Sequence, residues 1–160
     1  MLGGLRERVP ARALYLGCFL PDLIDKPLFY GVLLARGRAG ELISGTRTFG
    51  HTGLFLLAVC AAAALSRSRA LWAVAAGIAT HLFLDNLGDY ICFDPPPLER
   101  SSLLALLFPA LGVRFPVVPF DSLVDHLLTN AHSAYVIAGE LIGGAILLRA
   151  WLLRTRAQSS

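Results

Sequence analysis

Long apolar stretches separated by short polar connections dominate the chain. Four of them are predicted to form helical segments, at residues 11–34, 51–65, 70–91 and 134–153. A helix that spans a membrane needs about 20 mostly apolar residues. The third and fourth segments are long enough to cross, whereas the second is short unless residues before His51 extend it. A further apolar stretch, 103–111, is too short to span and is predicted to be an interfacial or re-entrant helix.

The first segment differs from the others because prolines and charges interrupt it. The interrupting residues are Pro21, Asp22, Asp25, Lys26 and Pro27. A helix interior rarely accepts proline, and a bilayer rarely accepts an unpaired charge. We therefore expect this segment to enter the membrane and to end or kink around Pro27. It lacks the small-residue cleavage site of a secretory signal, so we expect it to be retained.

The composition favours a lipid environment. Of the 160 residues, 56% are hydrophobic and 16% are charged, whereas about 25% are charged in a typical soluble domain. The mean hydropathy is +0.64. These values predict an all-α fold: a polytopic membrane helical bundle of about four segments, with residues 1–160 forming a single integral membrane domain. The net charge of +3 comes without a basic stripe and interleaved aromatics, which argues against a nucleic-acid partner.

The arginines predict how the segments are oriented. Three groups flank segment ends: Arg6, Arg8 and Arg12; Arg67 and Arg69; and Arg149, Arg154 and Arg156. A path of four segments places all three groups on one side, which the positive-inside rule assigns to the cytoplasm. The opposite side fits the positive-inside rule less well, because three further arginines would lie there: Arg36, Arg38 and Arg47.

Three groups of ionisable residues are candidates for chemistry. Asp22 and Asp25 lie three apart, on one face of a helix. His51 opens the second segment. His81 and Asp85 lie four apart, and at ~1.5 Å rise per residue they stack ~6 Å apart, which suits two ligands of one ion. The predicted path brings all of these residues to the outer half of the bundle.

The cost of burying these groups indicates a metal ion. An acidic side chain in mid-bilayer costs about 3 kcal/mol, and the nearby cations are Lys26 and Arg47. A divalent ion would neutralise the acids better. Imidazole and carboxylate together suit zinc, manganese or iron, and oxygen ligands also admit magnesium. A metal with incomplete protein ligation lowers the pKa of bound water and generates hydroxide near neutral pH, which is a route to hydrolysis.

Each group also has a structural interpretation. Asp22 could cap a helix, and His51 could be an interfacial histidine. His81 and Asp85 could form a hydrogen-bonded pair that holds helices together. Asp89 is a candidate general base, or a residue that supports the ligands from behind.

A second polar group follows the proline-rich stretch 93–120. Its candidate ligands are Asp121, Asp125, His126 and His132. A short helix capped by Asp121 explains much of this group, because Ser122 and Asp125 match a capping box. Glu140 lies within the fourth segment and is expected to be buried, and an ionisable residue in such a place indicates function.

Three motifs, in this order, resemble the family of membrane-bound, metal-dependent hydrolases, which are small prokaryotic inner-membrane proteins. They are LPDLIDKP at 20–27, GTRTFGHT at 45–52 and HLFLD at 81–85, followed by LFPALGVRFP at 107–116. The resemblance covers about residues 17–116. It implies a multi-pass location in the inner membrane and a metal site formed by Asp22, Asp25, His51, His81 and Asp85. Family members often carry serine after the central histidine, whereas this chain has Thr52, which keeps a hydroxyl.

Two functional hypotheses follow. The first is a metal-dependent hydrolase whose zinc, manganese or magnesium ion is held by the five residues of the implied site, with Asp89 or one of the five as general base. Membrane lipid surrounds it, and the substrate is a lipid-linked or membrane-proximal ester or phosphoester. The second is a non-enzymatic protein, either an ion-binding or transport module or a structural partner, in which the same residues form an ion pathway or a packing device. The oligomeric state stays open.

Overall fold

The described residues form helices and no strand, which confirms the all-α prediction. This computed structural model describes residues 10–36, 43, 45–92, 98–116, 124, 128 and 132–158. The helices are α1 (Ala11–Arg36), α2 (Gly53–Ser66), α3 (Arg69–Cys92), α4 (Ser102–Leu106) and α5 (Ala134–Gln158). Single 3-10 turns lie at Phe49–His51 and Leu98–Arg100.

Contacts divide the chain into two compact units, Met1–Val118 and Pro119–Ser160. The first unit contains α1 to α4 and all five residues of the implied metal site, and the second contains α5. The single domain over residues 1–160 stays a prediction.

Helix α1 continues through both of its prolines. Of the two expectations for Pro27, an end or a kink, the end is wrong, because the helix continues to Arg36. A proline removes one helical hydrogen bond, but α1 packs along α3, and tertiary contacts of this kind override local propensity. As a result Asp22 and Asp25, which lie between the prolines, are held on one continuous helix.

Two glycines set the distance between α1 and α3. A Cβ on Gly77 would overlap the carbonyl oxygen of Leu14, and a Cβ on Gly17 would overlap that of Val74. Small residues let helix backbones approach this closely, as they do in helix pairs within membranes. The crossing therefore depends on the absence of side chains at both positions.

Helices α1 and α3 run in the same direction. Gly77 lies against Cys18, and His81, one turn after Gly77, faces Asp22, one turn after Cys18. Moving along one helix therefore means moving the same way along the other. This arrangement brings the acidic middle of α1 beside the second half of α3.

Helix α2 connects the two and completes the apolar core. Thr52 caps its start, since the Thr52 hydroxyl accepts a hydrogen bond from Phe55 N–H at 3.0 Å. Arg67, in the left-handed conformation at φ 52°, ends the helix in a tight turn before α3. The core consists of Val74, Ile78 and Leu82 on α3, with Ala13, Leu20, Phe55, Leu56, Val59 and Leu106 packed around them.

The first unit buries polar groups and exposes apolar ones. On α1, Leu23 is 59% and Phe19 is 64% exposed, whereas Asp25 is fully buried. Soluble proteins usually show the opposite distribution. Within the described residues, Arg69–Ile91 is the one helix long and apolar enough to cross a membrane by length and composition, and Gly53–Ser66 and Ala134–Ile146 are shorter apolar helices. A bundle of four spans thus goes beyond what helix length and composition support.

Helix α5 lies in the second unit and exposes most of its described side chains. Glu140 is among the exposed residues, as are its neighbours Leu141 and Ile142. The expectation that Glu140 is buried is therefore wrong. The apolar residues around it in the sequence do not pack into a core that would enclose it.

Candidate metal centre

The connection between α1 and α2 is held by backbone hydrogen bonds to the buried carboxylate of Asp25. Thr48 N–H donates to Asp25 Oδ2 at 2.7 Å, and Gly50 N–H donates to Asp25 Oδ1 at 2.9 Å. Gly50 allows this approach, because a Cβ there would lie 2.7 Å from the Pro21 carbonyl oxygen. Two backbone donors thus fix the connection against α1 directly before His51.

Asp25 also orients the imidazole of His51. His51 Nδ1 lies 2.7 Å from Asp25 Oδ2, and the His51 side chain is 3% exposed. Because a carboxylate accepts here, Nδ1 carries the proton, and the lone pair of the neutral ring is on Nε2. Histidine ligands of metals are commonly held by a carboxylate in this way. This arrangement turns Nε2 toward α1 and α3.

His51 lies in the connection between the helices, where its surroundings change its basicity. Burial disfavours the imidazolium, but the hydrogen bonds with Asp25 and Asp85 and the charges of the two carboxylates outweigh it. The pKa of His51 is therefore raised above its ordinary value. The two carboxylates therefore stabilise a positive charge on this ring.

Three potential ligand atoms from three parts of the first unit converge. His51 Nε2 lies 3.2 Å from His81 Nε2 and 3.7 Å from Asp22 Oδ1, and His81 Nε2 lies 4.0 Å from Asp22 Oδ1. All three atoms lie within 4.8 Å of one another. Ligands at about 2.0–2.1 Å from a tetrahedral ion are about 3.4 Å apart. The spacing therefore fits a common ion with small shifts. We call Asp22, His51 and His81 the ligand triad.

Asp85 lies beside the ligand triad but shares its carboxylate with an arginine. Asp85 Oδ2 is 3.4 Å from His51 Nε2 and 3.8 Å from His81 Nε2. The same oxygen is 3.1 Å from Arg47 Nε. Burial opposes the charge on Arg47, but Asp85 and Asp89 outweigh this effect, so the pKa of Arg47 is raised and the guanidinium stays charged.

The two carboxylate oxygens of Asp22 have separate partners, in contrast to Asp85. Oδ1 faces the histidines, while Oδ2 accepts a hydrogen bond from Lys26 Nζ at 2.6 Å. One oxygen therefore remains directed at the place where an ion would bind, and the ammonium holds the other. Lys26 lies one turn after Asp22 on α1, so the pair is local to the helix.

Asp89, the candidate general base, has both oxygens engaged. Oδ1 lies 3.0 Å from Arg47 Nη1, and Oδ2 accepts a hydrogen bond from Ser102 N–H at 2.6 Å. Its side chain is buried. These contacts join α3, the connection before α2, and the start of α4. They do not favour a base, so the catalytic role of Asp89 stays a prediction.

Comparison of the chain with models of protein families, with curated proteins and with solved structures finds no match. The resemblance noted from the three motifs therefore stays a prediction. The case for a metal centre depends on the residues themselves and on their geometry.

One divalent cation would balance the charges of the ionisable side chains in and around the ligand triad. These side chains include four carboxylates and two cations, those of Asp22, Asp25, Asp85, Asp89, Lys26 and Arg47. With both histidines neutral, two negative charges remain. A divalent ion at the ligand triad would cancel both, and two imidazoles with one carboxylate are donors that zinc and manganese accept. The donor set and the charge both fit a metal.

The five residues predicted to hold the metal take different positions around the site. Asp22, His51 and His81 form the ligand triad, Asp85 adjoins it, and Asp25 lies behind His51. Among the lesser candidates, His132 is exposed with Nδ1 2.7 Å from the Leu128 carbonyl oxygen. The others, Asp121, Asp125 and His126, lie outside the described residues.

Sequence reasoning missed two links of the site. From the sequence, Arg47 was only a cation near the acidic residues. In the structure, Arg47 bridges Asp85 and Asp89. The hydrogen bond from Ser102 was not anticipated at all. A backbone N–H donor leaves no mark in the side-chain pattern, so nothing in the sequence could have revealed this link.

The position of Asp25 predicts a measurable effect on metal affinity. Asp25→Asn is expected to weaken zinc binding by about 10- to 100-fold, the usual loss when the support of a metal-binding histidine is removed. The physical reason is that the amide cannot accept from all three N–H groups that surround it. Competition with a chromophoric chelator measures the affinity.

Thr48→Val is the matched control for this change. It alters a buried side chain in the same connection, keeps the amide that donates to Asp25, and removes a hydroxyl without a hydrogen-bond partner in the described structure. We expect its zinc affinity to match the wild type. Equal losses in both variants would show that Asp25 only maintains the fold.

Proposed function

We propose that this protein is a metal-dependent hydrolase. The observation that supports the proposal is the convergence of Asp22 Oδ1, His51 Nε2 and His81 Nε2 within 4.8 Å. Catalytic zinc sites typically use three protein ligands and keep a further position for water or substrate. The ligand triad supplies that number of ligands, from α1, from α3 and from the connection between α1 and α2.

Two imidazoles in the donor set favour zinc or manganese over magnesium, which prefers oxygen ligands. When bound, such an ion would polarise the scissile bond and lower the pKa of a bound water, so that hydroxide forms near neutral pH. The chain's own residues orient the reaction. Asp25 fixes the ring of His51, and Lys26 holds the far oxygen of Asp22.

We also propose that the first unit lies in a membrane. The exposed apolar side chains of α1 to α3 and the buried charges between them support this proposal. In lipid this distribution is favourable, because apolar side chains contact the acyl chains and charged groups pair within the protein. A substrate reaching the site from the bilayer would be a lipid-linked ester or phosphoester.

A non-enzymatic ion-binding or structural role is the second candidate. The observation that favours it is that Lys26 and Arg47 already pair with carboxylates of the group. A proton on His51 would neutralise one further charge. A site so compensated could hold helices together, or bind an ion without turnover.

Turnover by the purified, zinc-loaded protein distinguishes the two candidates. The probes are p-nitrophenyl acetate, p-nitrophenyl phosphate and bis(p-nitrophenyl) phosphate, presented in detergent micelles. We expect hydrolysis of at least one probe that stops when a chelator removes the zinc and returns when zinc is restored. Stoichiometric zinc with no hydrolysis of any probe would favour the second candidate.

The membrane location has its own test. Membranes from expressing cells are washed with alkaline carbonate, which removes peripheral proteins. We expect the chain to stay in the pellet and to require detergent for release. Release by carbonate alone would contradict the membrane part of the proposal and leave the metal site untouched.

A further inference from the structure

Arg47 joins two carboxylates of α3 that lie one helical turn apart. Its Nε lies 3.1 Å from Asp85 Oδ2, and its Nη1 lies 3.0 Å from Asp89 Oδ1. The backbone beside Arg47 is fixed, because the N–H of the next residue, Thr48, donates to the buried Asp25. An arginine side chain in a protein is always charged. A positive charge therefore lies permanently between the two acids of α3.

The oxygen of Asp85 that contacts Arg47 also borders the ligand triad. Asp85 Oδ2 lies 3.4 Å from His51 Nε2 and 3.8 Å from His81 Nε2. It is thus placed between the guanidinium on one side and the position of an ion on the ligand triad on the other. Hydrolases with two metal ions hold two cations about 3.5–4 Å apart in one site. Here the cation next to the triad position is a guanidinium.

The charge of the site suits one divalent ion better than two. The four carboxylates and two cationic side chains counted above leave two negative charges when both histidines are neutral. One divalent ion balances them, whereas a second would leave an excess of two positive charges among largely buried groups, where like charges repel strongly. If residue 47 were neutral, three negative charges would remain, and one divalent ion would leave one of them unbalanced.

From these contacts we propose that Arg47 is the second cation of a two-cation centre: its guanidinium occupies, between Asp85 and Asp89, the position that a second metal ion would otherwise take. The inference rests on the metal centre of the proposed function. The protein then binds one divalent ion per chain, and a neutral residue at position 47 uncovers a second metal position. Its ligands are carboxylate oxygens, which suit manganese.

Arg47→Gln in the zinc-loaded protein tests the proposal, with manganese as the probe. Zinc binds such sites more tightly than manganese, so one equivalent of zinc fills the ligand triad and manganese reports on the other position. Electron paramagnetic resonance counts the bound manganese. We expect Arg47→Gln to bind one manganese per chain, at least about tenfold more tightly than the wild type, because two carboxylates have lost their cation. Manganese is also expected to raise the thermal unfolding temperature of this variant and not that of the wild type.

Lys26→Gln is the matched control, because it removes the same charge from the site at a different place. Lys26 Nζ pairs with Asp22, which already belongs to the ligand triad, so this variant is expected to bind no more manganese than the wild type. Adding Asp89→Asn to Arg47→Gln removes one of the two carboxylates and is expected to abolish the manganese site. Arg47→Glu supplies a further carboxylate at the same position and is expected to bind manganese even if Arg47→Gln does not fold.

The outcomes separate this inference from the proposed function. A wild-type protein that binds no zinc would overturn both, whereas a zinc-loaded protein that hydrolyses no probe would leave this inference intact. Two divalent ions per chain in the wild type would overturn the inference alone. An Arg47→Gln variant that binds no more manganese than Lys26→Gln would also overturn it, since Arg47 would then be only a structural ion pair. Failure of both variants at position 47 to fold in the presence of manganese would overturn it as well, because an ion would then not replace the guanidinium.

Discussion

Replacement of His81 by alanine is expected to abolish stoichiometric zinc binding. His81 supplies one of three ligand atoms, and its Nε2 lies 3.2 Å from Nε2 of His51. The remaining pair, His51 and Asp22, would leave two ligands and a half-open site. The loss of affinity should exceed the roughly 10- to 100-fold effect of removing a supporting residue. Zinc content after gel filtration in chelator-treated buffer measures this directly.

His132→Ala is the matched control for His81→Ala. It makes the same substitution at an exposed histidine of the second unit, whose ring nitrogen contacts a carbonyl of its own segment. We expect the zinc content of this variant to equal that of the wild type. Equal losses in both variants, or full zinc in His81→Ala, would remove His81 from the site.

Replacement of Gly77 by alanine is expected to destabilise the first unit by about 1–3 kcal/mol, the usual cost of overpacking. The added Cβ would overlap the Leu14 carbonyl and would lie 2.7 Å from the Cys18 amide nitrogen. Both atoms are backbone, so neither can move without displacing α1. The ligand triad combines residues of α1 and α3, and we therefore expect weaker zinc binding as well. Thermal unfolding in detergent measures the loss of stability.

Gly31→Ala shows what the same substitution does where there is room. Gly31 also lies within a helix of the first unit, and a Cβ there would have no atom within 4 Å. Alanine is the better helix former by about 0.5–1 kcal/mol. We expect a stability equal to the wild type or slightly higher. A similar loss at both glycines would mean that the close crossing of α1 and α3 is not what Gly77 provides.

The sequence was a good guide to the helices wherever their apolar runs are continuous. The predicted segments 51–65 and 70–91 agree closely with α2 and α3. For α1 the sequence predicted an end or a kink around Pro27, and the helix does not end there but continues to Arg36. Local propensity indicates the cost of a proline but not the packing along α3 that outweighs it. The prediction that Glu140 is buried was wrong for a related reason, since apolar neighbours in sequence need not enclose a residue.

The sequence also showed which side chains gather, but not what each one does. Helical spacing placed Asp22 with Asp25 and His81 with Asp85, and the structure brings both pairs to His51. It could not show that Asp25 lies behind His51. That arrangement depends on hydrogen bonds from backbone amides 23 and 25 residues further along the chain. Backbone donors carry no sequence signature, so such support becomes visible only in three dimensions.

The central claim is that one metal ion binds to Asp22, His51 and His81. X-ray absorption at the zinc edge of the zinc-loaded wild-type protein tests it most directly. The account predicts scattering from two imidazole rings, with nitrogen and oxygen ligands at about 2.0–2.1 Å. A site without imidazole scattering, or one dominated by sulfur at about 2.3 Å from the cysteines, would contradict it.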